Sequence, residues 1–153
     1  MKIAVIGAGA IGGLVGAKLA LAGEDVSFIV RGANLHAIRE RGFKLIGAGG
    51  EEEIARDVKA TDSYEQAGPQ DIVILAMKAH QVEAVAEQVP RLFGPETLVV
   101  TMQNGIPFWC FQKHGGRLEG TPVHSVDPTG LGGRSIPAQR IIGCVVYPAS
   151  ALV

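Results

Sequence analysis

Gly7, Gly9 and Gly12 stand at G-x-G-x-x-G spacing in the run Gly7-Ala8-Gly9-Ala10-Ile11-Gly12, directly after the apolar stretch Lys2 to Ile6. Where such a turn joins a strand to a helix, the first glycine permits the tight turn, the second lets a pyrophosphate approach the backbone, and the third lets helix and strand pack closely. The unpaired N–H groups at the helix start face the ligand with the positive end of the helix dipole, so the chemistry on offer is binding of an anionic dinucleotide. Arg31 follows the next apolar run, at the position where an NAD-selective site keeps an acidic residue for the ribose hydroxyls. Its planar fork of donors stays charged at any relevant pH and suits a 2′-phosphate, so NADP(H) is the expected cofactor; a solvated surface arginine is the alternative.

Lys78 follows a buried run ending at Met77, and Asn104 follows one ending at Met102. Both are expected just past the carboxyl ends of parallel strands, where sheets of this kind bind ligands and where a polar side chain reaches a ribose or a substrate oxygen. Strand-end loops are polar in any case, and Asn104-Gly105 also reads as a simple turn. His36, His80, His114 and His124 show no metal-ligand spacing and pair with no evident nucleophile, so they are read as surface or loop residues and no metal is expected. Trp109 and Phe111 are expected to fill a small local core, and Glu51 to Glu53 to form a solvated hairpin edge.

The elements that must position these residues follow from the periodicity. Lys2 to Ile6 reads as a strand buried on both faces, and Ile11, Leu14, Val15, Leu19 and Ala22 recur at helical spacing up to Gly23. With Asp25 to Val30 as a second strand, this makes a βαβ unit of about 30 residues. Asn34 is expected to cap a polar helix through Arg41, and Phe43–Ile46 with Glu52–Val58 to form an inserted hairpin. Ser63 and Gln66 have capping-box spacing. Strands are expected at Asp71–Met77, Thr97–Met102 and Arg140–Tyr147, and a helix from Gln81 to Val89 that stops at Pro90. Residues 104–139 read as a long loop with one short helix around Trp109. The fold class is therefore α/β, a Rossmann-like doubly wound and mostly parallel sheet with an inserted hairpin.

The chain has 153 residues, 47% of them hydrophobic and 19% charged, with 21 glycines and a net charge of −1. That size and composition suit one compact domain over residues 1–153. No broad positive face exists for nucleic acid, and no stretch reaches the roughly 18 apolar residues of a membrane span. Cys110 and Cys144 are too few and too far apart for a disulfide framework or a zinc site. A cytoplasmic protein is expected.

Taken in order, GAGAIGG after the first strand, VRG at the second, AMKAHQ and MQNGIP after the two later strands and IIGCVVYPAS near the end resemble the amino-terminal domain of the ketopantoate reductase family. The resemblance spans essentially the whole chain. It implies NADPH-dependent reduction of 2-dehydropantoate, or a related 2-oxoacid, to pantoate. It implies that Gly7, Ala8, Gly9, Ala10, Ile11 and Gly12 hold the pyrophosphate and that Arg31 meets the 2′-phosphate. Lys78 and Asn104 would flank the nicotinamide end, Asn104 touching substrate as well, and Ala149 would give a backbone contact to the cofactor. The family's general-acid lysine lies on a second, all-α domain that also leaves room for a homodimer. No catalytic residue is therefore expected in this chain, which reads as the cofactor half of a two-domain enzyme and as inactive alone. The competing expectations are a dinucleotide-sensing regulatory module and another two-domain hydroxyacid dehydrogenase. The loop Pro107 to Gln139 is longer than a minimal member of the family needs.

Overall fold

The structure is a computed structural model and describes residues 1–152. Lys2–Ile6 forms β1, Ala10–Leu21 forms α1 and Asp25–Ile29 forms β2. β1 lies parallel to β2, with Ile3 opposite Val26 and Val5 opposite Phe28. The side chains of β1 alternate between two buried clusters: Ile3 and Val5 point to one, with Val26, Phe28, Leu35 and Ile38, and Ala4 and Ile6 to the other, with Val73, Leu75, Val89 and Val99. Both faces of the strand are thus dry, which is why it reads as an unbroken apolar run rather than an alternating one.

The chain continues through α2 (Gly32–Arg41), the antiparallel pair β3 (Phe43–Ile46) and β4 (Glu52–Ala55), then β5 (Val58–Thr61) and α3 (Tyr64–Ala67). β6 (Gln70–Leu75), β7 (Phe93–Thr101), α4 (Leu131–Ser135) and β8 (Ile141–Gly143) complete it. The main sheet has six strands in the order β5-β2-β1-β6-β7-β8, and every pairing in it is parallel. The winding reverses between β1 and β6, and the glycine turn leaves β1 at that reversal, where such sheets open a crevice for ligands.

The inserted hairpin locks onto the first unit through aromatic rings. Phe43 stacks on Phe28 with centroids 5.3 Å apart. A Cβ on Gly13 would fall 2.0 Å from the Phe43 ring, and one on Gly16 would fall 2.5 Å from the Phe28 ring. The glycines of α1 beyond the turn motif therefore make room for these two rings.

Several boundaries differ from expectation for identifiable reasons. Glu52–Val58 is not one strand: β4 stops at Ala55, the exposed pair Arg56-Asp57 turns the chain, and Val58–Thr61 joins the main sheet beside β2. Asn34 does not cap α2, which begins two residues earlier with Arg31 as its capping residue and no side-chain cap. Ser63 does cap α3, accepting the Gln66 N–H at 3.1 Å, but the Gln66 side chain turns to Thr61 Oγ1 instead of closing the box. No continuous α-helix spans Gln81–Val89. Short 3₁₀ turns at Ala79–Gln81 and Val89–Leu92 flank tight turns in which Val85 and Ala86 donate to carbonyls three residues back. Val82, Ala86 and Val89 are nonetheless buried, so the segment still packs apolar side chains against the sheet while its hydrogen bonds are tighter than those of an α-helix.

Residues around Trp109 form successive turns, not a helix. The regular helix of that region is α4, whose amides at Gly132 and Gly133 donate to the buried carboxylate of Asp127, each at 2.9 Å. Trp109 packs over Gly143 and donates to Thr101 Oγ1 at 3.2 Å, which binds the long loop to β7 and β8. β8 is shorter than Arg140–Tyr147, ending at Gly143. Among the described residues no helix is long and apolar enough to cross a membrane.

Candidate functional site

Gly7 has φ of +97°, a conformation that an L side chain adopts only under strain. A Cβ on Gly12 would lie 2.0 Å from the Gly7 carbonyl oxygen and 2.7 Å from Ala76 Cβ, so α1 could not sit this close to β1 and β6 with any other residue there. Gly9 is different. It caps α1 with an ordinary φ of −74° and no side-chain cap, and nothing lies within 4 Å of the place its Cβ would occupy. The space in front of Gly9 is therefore open, and backbone N–H groups at the start of α1 face it. These residues fit an anionic dinucleotide by the same division of labour that the spacing implies.

A trough runs over this turn in two lobes. One lobe, of about 860 Å³, lies between the end of β2 and α3 and includes Gly7, Arg31, Asn34, Tyr64 and Gln81. The other, of about 500 Å³, includes Gly7, Gly9, Lys78, Asn104, Val146 and Ser150. Gly7, Ala8, Gly9, Ala10, Ile11, Arg31, Lys78 and Asn104 thus all border the trough, whereas buried Gly12 shapes the turn from behind. Arg31 stands at the N-terminal cap of α2 and, among the described residues, forms no ion pair. Tyr64 stands half-buried in the same lobe. Burial holds its phenol pKa above the usual tyrosine value, and the positive charge of Arg31 pulls the other way.

Lys78 is exposed at the end of β6, and its backbone N–H donates to Gln81 Oε1 at 3.0 Å. Gln103 donates to the carbonyls of Leu75 and Met77, at 2.8 and 3.2 Å, and so fixes the backbone that presents Lys78. The Asn104 amide holds the backbone of Val146 at both ends: Nδ2 donates to the Val146 carbonyl and Oδ1 accepts the Val146 N–H, each at 2.9 Å. That clip, with Ser150 Oγ donating to the Ala10 carbonyl at 3.2 Å, lays residues 144–150 along the second lobe. Ala149 is exposed and does not line the lobe; Val146 and Ser150 do.

Gln81, Gln103 and Ser150 lie within the motifs AMKAHQ, MQNGIP and IIGCVVYPAS, but the sequence assigns them no site role because neutral polar residues in loops carry no periodic signal. His80 borders the first lobe, and no group of metal-binding side chains occurs among the described residues. Cys110 and Cys144 are free and half-buried. Glu52 and Glu53 are exposed and pair with Lys44 and Lys18.

A parallel sheet wound in this order, with its glycine turn at the reversal and polar residues past the neighbouring strand ends, is the architecture of dinucleotide-dependent oxidoreductases. The family model described as ketopantoate reductase PanE/ApbA matches residues 3–107. A 2-dehydropantoate 2-reductase from Mesorhizobium japonicum is 51% identical over 150 residues, covering 97% of this chain and 45% of the relative. A crystal structure from Ralstonia solanacearum MolK2, described as a ketopantoate reductase, superposes with a TM-score of 0.92 at 41% identity, over 99% of this chain and 46% of that one. The chain belongs to the ketopantoate reductase family, and it spans about half the length of these relatives. It is also similar to a D-mandelate dehydrogenase solved with NADH and anilino(oxo)acetate, with a TM-score of 0.68 at 26% identity over 92% of this chain.

Proposed function

We propose that this chain is the cofactor-binding half of a cytoplasmic, NADPH-dependent reductase that converts 2-dehydropantoate, or a related 2-oxoacid, to pantoate or the matching hydroxyacid. The observation that carries the proposal is the two-lobed trough over Gly7–Gly12, with Arg31 in one lobe and Lys78 and Asn104 in the other. The N–H groups at the start of α1 hold the pyrophosphate, and Arg31, at the positive end of α2, meets the 2′-phosphate. Lys78 and Asn104 orient the nicotinamide end, and the segment clipped by Asn104 screens that end from water. Bound there, reduced nicotinamide supplies a hydride to the substrate carbonyl. The balancing proton comes from the lysine that the family resemblance assigns to a second, helical domain, the same domain through which a homodimer would form. Residues 1–153 alone are then a binding unit without turnover.

Nicotinamide fluorescence titration of wild type and Arg31→Ala tests the cofactor. Loss of a charge-assisted phosphate contact costs about 1.5–3 kcal/mol, roughly ten- to a hundredfold in NADPH affinity, with NADH little changed. An unchanged preference refutes NADP selectivity. NADPH oxidation by a chain extended with the relatives' second half tests the substrate, and turnover of another 2-oxoacid but not 2-dehydropantoate refutes the named reaction.

A second reading, an NADH-using hydroxyacid dehydrogenase, is favoured by the likeness to D-mandelate dehydrogenase and by Asp62 and Glu65 in the same lobe as Arg31. Tighter binding of NADH than NADPH by the wild type supports it.

A further inference from the structure

The lobe that holds Arg31 is lined by a second guanidinium, that of Arg91. Arg91 sits in the 3₁₀ turn Val89–Leu92, between two fully buried residues, Val89 and Leu92, so its backbone is fixed while its side chain reaches the lobe. There it forms an ion pair with Glu65 of α3, which borders the lobe as well. The two side chains are 45% and 72% exposed, so the pair is of the solvated kind that contributes little to stability and gives up its partner readily. The lobe carries two arginines, Arg31 and Arg91, against two carboxylates, Asp62 and Glu65. Such a lobe is formally balanced until a phosphate enters it.

We infer that Arg91 is a second cation for the 2′-phosphate of the dinucleotide, and that Glu65 sets its availability by holding it when the phosphate is absent. The inference rests on the NADPH reading above. A phosphate dianion offers the guanidinium more acceptor oxygens and more charge than the carboxylate does, and an arginine fork engages it through two donors. Arg91 therefore exchanges Glu65 for phosphate, and Glu65 opposes NADPH binding both by competing for Arg91 and by repelling the phosphate. NADH, which carries only ribose hydroxyls at that position, feels neither effect.

Dissociation constants for NADPH and NADH, measured on the 153-residue chain at low ionic strength, test this with Arg31→Ala, Arg91→Ala, Arg91→Lys and Glu65→Gln. Arg91→Ala is expected to weaken NADPH about tenfold and NADH by less than about twofold, Arg91→Lys to recover part of the loss, and Glu65→Gln to tighten NADPH about threefold. An Arg91→Ala that leaves the NADPH-to-NADH ratio at the wild-type value, or weakens both cofactors equally, overturns the inference, since the ion pair would then only tie α3 to its neighbour. If Arg31→Ala collapses the ratio while Arg91→Ala does not, the Arg91 inference alone fails. If wild type does not favour NADPH, or Arg31→Ala leaves the ratio unchanged, the cofactor reading itself fails and takes this inference with it.

Discussion

Replacing Gly9 and Gly12 by alanine, one at a time, should separate binding from folding within one hexapeptide. At Gly12 the new methyl carbon would lie 2.0 Å from a backbone oxygen and 2.7 Å from Ala76 Cβ. Ordinary contact begins near 3.4 Å, so α1 has to move away from β1 and β6 by more than 1 Å, a shift of roughly that size being forced because neither neighbour can swing aside. Overpacking of this kind costs about 1–3 kcal/mol, and for a domain of this size each kcal/mol lowers Tm by about 2–4 °C. At Gly9 the φ of −74° is open to alanine and the methyl meets nothing within 4 Å. Its cost to the fold is the preference of a helix cap for glycine over alanine, about 0.5–1 kcal/mol, with no clash added. The methyl stands instead in the space facing the α1 amides, and a pyrophosphate kept off those donors loses about 1.4 kcal/mol or more, a tenfold weakening. Differential scanning fluorimetry and dinucleotide titration on both variants provide the comparison. A Gly9→Ala chain that binds as tightly as wild type would refute the assignment of Gly7–Gly12 as the pyrophosphate site.

Other outcomes follow from the same contacts. Asn104→Ala removes both hydrogen bonds to Val146 and should raise amide exchange at Val146 while costing the fold about 1–2 kcal/mol; unchanged exchange would mean the clip does not hold residues 144–150. Asp127→Ala strips two acceptors from buried amides of α4 and should cost about 2–4 kcal/mol and expose Trp109 to quencher, read through the single tryptophan. Tyr64 should ionise above the usual tyrosine range in an absorbance titration. Because its folded pKa is raised, its stabilisation is complete below the unfolded value near 10 and is lost as pH rises through the folded value. Glu119 accepts the N–H groups of Gly115 and Lys113, which hold its carboxyl below the usual range, so a carboxyl NMR titration should find a lowered midpoint and the turn at 113–119 should open only as pH falls through it.

The first βαβ unit was legible almost to the residue because glycines mark both of its turns, its first strand is an apolar run from Ile3 to Ile6 and its second is mostly apolar, with Ser27 buried among Val26, Phe28 and Ile29. Legibility fell where a residue's role depended on a distant partner. The strand Val58–Thr61 was missed, its first residue absorbed into the hairpin strand expected over Glu52–Val58, because only Arg56-Asp57 separates two short strands that belong to different sheets. α4, with Gly132 and Gly133 inside it, has poor helix propensity and forms around the Asp127 carboxylate, a contact no local pattern announces. Asn104 was singled out as ligand-facing from its place past β7. The structure adds its grip on Val146, forty-two residues away in sequence, which strand-end position does not encode. The family match also stops at residue 107, where the long loop begins, so the chain departs from the family model at the point where the periodicity fades.

The rings of Phe43 and Phe28 lying where Gly13 and Gly16 lack side chains have a consequence for when the anion site comes into being. A helix that carries glycines at 12, 13 and 16 gives up roughly 0.5–1 kcal/mol at each relative to alanine and would not persist alone in water. α1 is therefore a helix only once the sheet and the hairpin have closed around it. Partly folded chains should have no measurable dinucleotide affinity, and ligand added during refolding should act on the last committed step and not on the first. Saturating ligand then raises the whole domain's unfolding free energy by RT ln(1 + [L]/Kd), about 2.7 kcal/mol at a hundredfold excess over Kd.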